Sequence, residues 1–152
     1  MTNLHQVYLG LGSNQGNREA QLSRAIELIA ERVGPVVRQS TIIETKPWGF
    51  TSGNMFLNCV ILIETQLLPR KVLVISQQIE RELGRRHKGT AYRDRPIDID
   101  ILLYDDVTID EPDLQIPHPL MYQRDFVMIP LKEINDNVNE NDNENDNENE
   151  KR

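Results

Sequence analysis

The segment Arg95-Pro96-Ile97-Asp98-Ile99-Asp100-Ile101-Leu102-Leu103 alternates apolar and other residues with a period of two. That period specifies a β-strand, with Ile97, Ile99, Ile101 and Leu103 on one face and Asp98 and Asp100 on the other. At a strand rise of about 3.3 Å per residue, the two aspartate Cα atoms lie roughly 6.6 Å apart. Aspartate is depleted in strands, and two like charges on one face cost stability unless something positive stands between them. Just upstream come Arg85-Arg86-His87-Lys88, Arg93 and Arg95. Paired carboxylates beside guanidinium groups suit Mg²⁺-assisted phosphoryl transfer: the metal bridges phosphate oxygens and the arginines spread the remaining charge. A plain solvated strand face is the alternative at this point.

The rest of the chain supplies a frame for that strand. Val7–Leu11 reads as a first strand entering the turn Gly10-Leu11-Gly12-Ser13-Asn14. Leu22, Ile26, Ile29 and Val33 recur at helical spacing, and Gly34-Pro35 stops that helix. Val36–Glu44 reads as a second strand, residues 45–54 as a loop punctuated by Pro47, Gly49 and Gly53, and Met55–Thr65 as a third strand. Pro69 opens a second helix with Val72, Ile75, Ile79 and Leu83 on its apolar face, and Gly84 ends it. After the aspartate strand, Asp105-Asp106 forms a turn and Val107–Ile109 pairs back as a hairpin. Pro117-His118-Pro119 makes a stiff loop before a last helical stretch, Leu120–Ile134. The order β-α-β-β-α-β is the split βαβ arrangement of ferredoxin-like α+β domains, an antiparallel sheet with helices packed on it.

At 152 residues the chain holds one such domain, expected over residues 1–134. Residues 135–152 form an Asn/Asp/Glu low-complexity tract with seven acidic and two basic residues, expected to be disordered. The net charge of −7 is therefore mostly tail, and residues 1–134 carry −2. A near-neutral body gives no basic face for nucleic acid. No apolar run reaches the length of a membrane span, and the first residues show no secretory pattern. The one cysteine, Cys59, sits in an apolar strand and reads as core. These features together predict a cytoplasmic protein, expected as a monomer.

Several further residues are suggestive only together. The 10–17 segment is neither a Walker A loop nor a Rossmann fingerprint, and reads as a tight turn. Phe56 and Phe126 could clamp a flat heterocycle or simply fill the core. Asn58 could bond a heterocycle's edge, His118 could contact phosphate, and Arg124 could cap a helix or touch phosphate. Glu80 lies beside the apolar stripe of its helix, where a solvated glutamate is the plainer reading. A metal-dependent phosphohydrolase or nuclease, and a non-catalytic ferredoxin-like binding module, both stay open on these residues alone.

The ordered set of motifs resembles the 6-hydroxymethyl-7,8-dihydropterin pyrophosphokinases of folate biosynthesis. It runs Tyr8-Leu9-Gly10-Leu11-Gly12-Ser13-Asn14; Glu44-Thr45-x-Pro47-x-Gly49; Phe56-Leu57-Asn58; Ile79-Glu80-x-x-Leu83-Gly84-Arg85; Arg95-x-x-Asp98-Ile99-Asp100-Ile101; Pro117-His118-Pro119-x-Met121; Arg124-x-Phe126-Val127; and Pro130-Leu131-x-Glu133-Ile134. The resemblance spans nearly all of residues 6–134. It implies transfer of pyrophosphate from ATP to the pterin hydroxymethyl group with release of AMP, by attack on the β-phosphorus. It implies two Mg²⁺ ions held by Asp98 and Asp100, with Arg85 and Arg95 engaging phosphates as loops close. It places Gln77, Glu80, Ile101, His118 and Arg124 along the ATP site. The pterin would lie between Phe56 and Phe126, near Trp48, with Thr45, Pro47 and Asn58 reading its polar edge. The glycine-rich turn would support neighbouring loops. The chain also departs from the family, which often reads Arg-Trp-Gly-Pro-Arg before its aspartates. Here the sequence is Ala91-Tyr92-Arg93-Asp94-Arg95.

Overall fold

A computed structural model describes residues 3–85 and 94–135. The expectations for the basic segment 86–93 and for the tail beyond Asn135 lie outside the described residues. The elements are β1 (His5–Ser13), α1 (Arg18–Arg32), β2 (Val36–Gln39), β3 (Ile43–Thr45), β4 (Phe56–Thr65), α2 (Pro69–Glu82), β5 (Asp98–Tyr104), β6 (Ile109–Glu111), β7 (Leu114–Ile116) and α3 (Asp125–Ile134). A short 3₁₀ turn, Met121–Gln123, precedes α3.

The sheet runs β2-β4-β1-β5, with β3 also pairing with β4 and all neighbours antiparallel. β1 and β2 are thus parallel with β4 between them, and β4 and β5 are parallel with β1 between them. These are the two split βαβ units of the ferredoxin-like α+β fold. α1 starts where the Asn17 side chain accepts from the Ala20 N–H at 3.1 Å, an ordinary N-cap. It ends at Gly34, where an added Cβ would lie 1.9 Å from the Glu64 carbonyl oxygen of β4. Only glycine lets the helix exit lie that close to the sheet. Pro69 opens α2, and Gly84 follows its end at φ +105°.

One face of the sheet is covered by α1 and α2. Leu22, Ile29, Val72 and Ile79 from the helices meet Val7, Leu9, Ile61, Ile63, Ile99 and Ile101 from the strands. Each such fully buried Leu or Ile contributes about 1.5–3 kcal/mol. The opposite face is only partly covered. There α3 packs Val127, Met128, Leu131 and Ile134 onto Val60, Leu62 and Leu102, and the remainder of that face stays open.

Three sequence expectations need correction. Val36–Glu44 is two short strands. Ser40 turns its hydroxyl to the Val60 N–H at 2.9 Å, and Thr41 gives its N–H and hydroxyl to Glu133 of α3 at 3.0 and 2.9 Å. With the Thr41 N–H given to α3, the pairing with β4 is interrupted there. The hairpin does not pair back on the aspartate strand; β6 pairs with β7 in a separate two-stranded sheet. The alternation of β5 also fails at its end, because the register with β1 shifts between Leu9↔Ile101 and Tyr8↔Leu103. This β-bulge at Leu102 puts Leu102 and Leu103 both in the α3-side cluster, so Leu103 does not share the face of Ile97, Ile99 and Ile101.

Candidate active site

The open part of the sheet is the floor of a cleft. Its position follows from strand register. Asp98 pairs with Gly12, and Gly12 pairs with Asn58; Asp100 pairs with Gly10, and Gly10 pairs with Val60. Both aspartates therefore stand beside glycines on the cleft face. Leu9 and Leu11 turn to the helices, so β1 presents no side chain between Asp98 and Asn58. A Cβ on Gly12 would lie 2.8 Å from Asn58 Oδ1. The glycine-rich segment, read from sequence as a turn, is thus strand through Ser13, and its glycines clear the floor.

Two arginines converge on Asp98. Arg85 bonds Asp98 Oδ1 and also donates to Glu80 Oε2 and the Ile97 carbonyl, both at 3.2 Å. Arg95 donates to Asp98 Oδ2 at 3.3 Å. Arg85 is 8 % exposed, so its charge is matched by buried or half-buried carboxylates rather than by water. Arg95 also lies 5.6 Å from the centroid of the Phe56 ring, with Phe50 edge-on to the same ring at 6.2 Å. On the opposite wall the Arg124 guanidinium sits 4.5 Å over Trp48 and 5.6 Å from Phe126. Each contact is within cation–π range.

Asn58 Nδ2 donates to Thr45 Oγ1 at 2.7 Å, which orients both side chains across β3 and β4. The Leu102 bulge fixes His118: its N–H donates to the Leu102 carbonyl at 3.0 Å, and its Nδ1 accepts from the Leu120 N–H at 3.3 Å. With Nδ1 an acceptor, a neutral ring carries its proton on Nε2.

Of the residues singled out from sequence, Thr45, Trp48, Phe56, Asn58, Arg95, Asp98, Asp100, His118, Arg124 and Phe126 line this one cleft. Pro47 lies between two of them in the loop, and Arg85 reaches Asp98 from behind. Gln77 and Glu80 belong to α2 in the helix layer, and the Ile101 side chain packs in the helix-side core. Glu80 is not a solvated glutamate. It is 2 % exposed and accepts from the Ile99 N–H at 2.8 Å as well as from Arg85. Lys46, Phe50 and Val127 also line the cleft and were not singled out from sequence. Lys46 and Phe50 flank the Trp48 loop, and proximity in the loop was the only signal available for them.

The comparisons with known proteins agree with one another. The profile of the 7,8-dihydro-6-hydroxymethylpterin-pyrophosphokinase (HPPK) family matches residues 8–136. The chain is 50% identical over 131 residues to the 2-amino-4-hydroxy-6-hydroxymethyldihydropteridine pyrophosphokinase of Porphyromonas gingivalis, covering 84% of this chain and 89% of that protein. It is 44% identical over 132 residues to the enzyme of the same name from Aquifex aeolicus, covering 87% of this chain and 81% of that one. Among solved structures, an HPPK-DHPS in complex with substrates superposes with a TM-score of 0.69 at 16% identity, over 86% of this chain and 39% of that one. The wild-type HPPK-DHPS of Plasmodium falciparum with SDX-DHP gives a TM-score of 0.68 at 15% identity, over 86% of this chain and 41% of that one. At these identities the solved structures show the fold, and this chain spans about two-fifths of their length. The curated relatives, matched over most of their length, show the rest: the chain belongs to the 7,8-dihydro-6-hydroxymethylpterin-pyrophosphokinase family.

Proposed function

We propose that this cleft carries out the family's reaction with its residues in distinct roles. The reaction transfers pyrophosphate from ATP to the hydroxymethyl group of 6-hydroxymethyl-7,8-dihydropterin, in folate biosynthesis. The pterin hydroxymethyl oxygen attacks the β-phosphorus of ATP. A bond from that oxygen to phosphorus forms, the bond from the β-phosphorus to the oxygen bridging the α-phosphorus breaks, and AMP leaves with that oxygen. The hydroxyl proton departs in the same exchange.

The observation that carries the assignment is the row Asn58–Gly12–Asp98 beside Val60–Gly10–Asp100, with Arg85 and Arg95 bonded to Asp98. Asp98 and Asp100 offer hard oxygen donors on the cleft face. Among the described residues no cluster of three or more His, Cys, Asp or Glu could hold a metal by itself. That fits Mg²⁺, which is bound through one or two carboxylates completed by substrate phosphates and water. We place two such ions there; when bound, they neutralise phosphate charge and favour the leaving AMP. Arg95 already faces one carboxylate and Arg85 two, and phosphate gives each a further anion that matches its fork geometry.

Trp48, Phe50, Phe56 and Phe126 form the aromatic part of the cleft, which suits a flat pterin. Thr45 and Asn58 supply its hydrogen-bond edge, and Pro47 stiffens the loop between Thr45 and Trp48. His118 and Arg124 stand on the far wall as nucleotide contacts. Gln77 and Glu80 contribute to the ATP site from α2, and Ile101 from β5. For Glu80 this means holding Arg85 and the start of β5 in place. A cytoplasmic monomer acting on these two small molecules, with neither nucleic acid nor membrane as partner, completes the proposal. Among the described residues no helix is long and apolar enough to cross a membrane.

The test is AMP formation from ATP and Mg²⁺ with and without the pterin. Pterin-dependent AMP supports attack on the β-phosphorus. ADP would indicate an ordinary kinase, and pterin-independent AMP or phosphate a hydrolase.

A further inference from the structure

Asp94 has no role in the assignment above. Its carboxylate joins three stretches of chain. Oδ1 accepts from Asn14 Nδ2 at 2.7 Å and Oδ2 accepts from Asn54 Nδ2 at 2.9 Å. The Ser52 hydroxyl bonds the same carboxylate, and its oxygen also accepts from the Asn54 N–H at 3.1 Å. Asn14, at the end of β1, is itself tied on both sides. Its Nδ2 donates to the Asn54 carbonyl at 3.2 Å, and its Oδ1 accepts from the Arg95 N–H at 2.7 Å. The Asn14 N–H donates to the Arg95 carbonyl at 3.1 Å.

The chemistry of this cluster is directional. A carboxylate only accepts, and the side-chain groups that meet it are two amide nitrogens and a hydroxyl, so each bond is charge-assisted. These donors, Ser52 first, and the nearby Arg95 charge hold the Asp94 carboxyl below its ordinary range. The stretch it grips, Ser52 to Asn54, belongs to the loop that carries Trp48 and Phe50 into the cleft. The residue after it, Arg95, faces Asp98 and the Phe56 ring.

We propose that Asp94 is a positioning residue for pyrophosphoryl transfer, its carboxylate clasping the aromatic loop to the backbone of Arg95 so that the pterin side and the phosphate side of the cleft are set as one unit. The proposal rests on the site assignment above. A guanidinium that meets phosphate in the transition state loses effect quickly when its backbone drifts, since misplacement by about 1 Å costs up to 10²-fold in rate. In Asp94→Ala, Asn14 still holds the Arg95 backbone, so the loss is partial.

The experiment compares wild type, Asp94→Ala, Asp94→Asn, Asn54→Ala and the Asp94→Ala/Asn54→Ala pair for AMP formation, KM of each substrate and acrylamide quenching of Trp48, the only tryptophan. The expected kcat of Asp94→Ala is about 10-fold below wild type with the ATP KM little changed, and the double variant is no slower. Asp94→Asn is nearly as slow, because its amide nitrogen would face amide donors. Trp48 is quenched more readily in folded Asp94→Ala without any substrate. Wild-type kcat in folded Asp94→Ala or Asp94→Asn, additive losses in the double variant, or unchanged quenching would each overturn the clasp. A wild-type protein that fails to make AMP would overturn the reaction assignment instead, and the quenching comparison would still decide the clasp.

Discussion

Arg70 in the first turn of α2 and Arg85 just past its end each hold two carboxylates. Arg70 grips Asp113 with both guanidinium nitrogens, at 2.9 and 3.0 Å, and also bonds Glu111 of β6. Arg85 bonds Glu80 and Asp98. The chemistry is the same and the settings are opposite. The Arg70 side chain is 53% exposed and its partners 44% and 63%, whereas Arg85 is 8% exposed with partners at 3% and 21%. Water competes for the first cluster and is nearly excluded from the second. An exposed cluster stitches a hairpin to a helix at little gain, while a buried one must be complete or it costs stability. The most exposed member of the buried cluster, Asp98, is the one that opens into the cleft. There a buried, charge-balanced base offers one carboxylate edge to a ligand.

The sharpest way to break this comparison is Asp98→Ala. It removes a carboxylate from the cleft and a partner from both Arg85 and Arg95. AMP formation should fall by about 10²–10³-fold, the scale seen when one preorganised electrostatic group is lost from an active site. Wild-type turnover in that variant would mean that the cleft does its chemistry elsewhere.

Glu80→Ala comes next, read in stability. It leaves Arg85 short of a buried partner and the Ile99 N–H without its acceptor. The expected loss is about 3–5 kcal/mol in urea unfolding, the cost of breaking a buried pair from one side. A loss no greater than that of an exposed ion pair would show that water reaches Arg85 and that the two clusters do not differ as described.

Glu80 also shows where sequence reading stops. The periodicity of α2 was legible, and so was the fact that Glu80 falls beside its apolar stripe. Which side of the stripe meets β5 depends on how the helix rests on the sheet, and a single helix does not encode that. The aspartate strand was legible because its period of two survives from Ile97 to Ile101. The bulge at Leu102 was not, because an extra residue is visible only in the pairing with β1. The glycines at 10 and 12 were visible but misread as a turn, since their use is to clear space beside strand partners far along the chain, Asn58 and Val60 on one side and Asp98 and Asp100 on the other. Asp98, Asp100, Arg95, Phe56 and Phe126 were found because the motif carries them in order. Their convergence on one face is a property of register.

Acid should act on a third carboxylate, outside these two clusters. Asp94 has its carboxyl held below its ordinary value of 3.8 by Ser52, Asn14, Asn54 and Arg95. A folded value below the unfolded one means that its contribution is fully present above about pH 4 and is lost as pH falls through the folded value. Thermal melts of wild type and Asp94→Ala should therefore differ by a constant amount from pH 7 to about pH 5 and converge below pH 4. A difference that grows on acidification would reverse the assignment of the carboxylate as the bonded form.

The smallest effect belongs to Arg70→Ala, and its smallness is the point. Arg70 lies in no wall of the cleft, so AMP formation should equal wild type. Removing the guanidinium leaves Glu111 and Asp113 in water, which solvates them as well as the arginine did, so no buried charge is stranded. Asp113 has its carboxyl held below the ordinary range by the Arg70 hydrogen bonds. What little stability the cluster adds should therefore vanish as that carboxyl is protonated. It should also shrink towards nothing in 1 M salt, because ions weaken an exposed pair far more than a buried one. Melts of wild type and Arg70→Ala should then coincide in 1 M NaCl, while Glu80→Ala remains well below both. If salt instead rescued Glu80→Ala, solvent would be reaching the buried cluster, and burial would not be what distinguishes the two arginines.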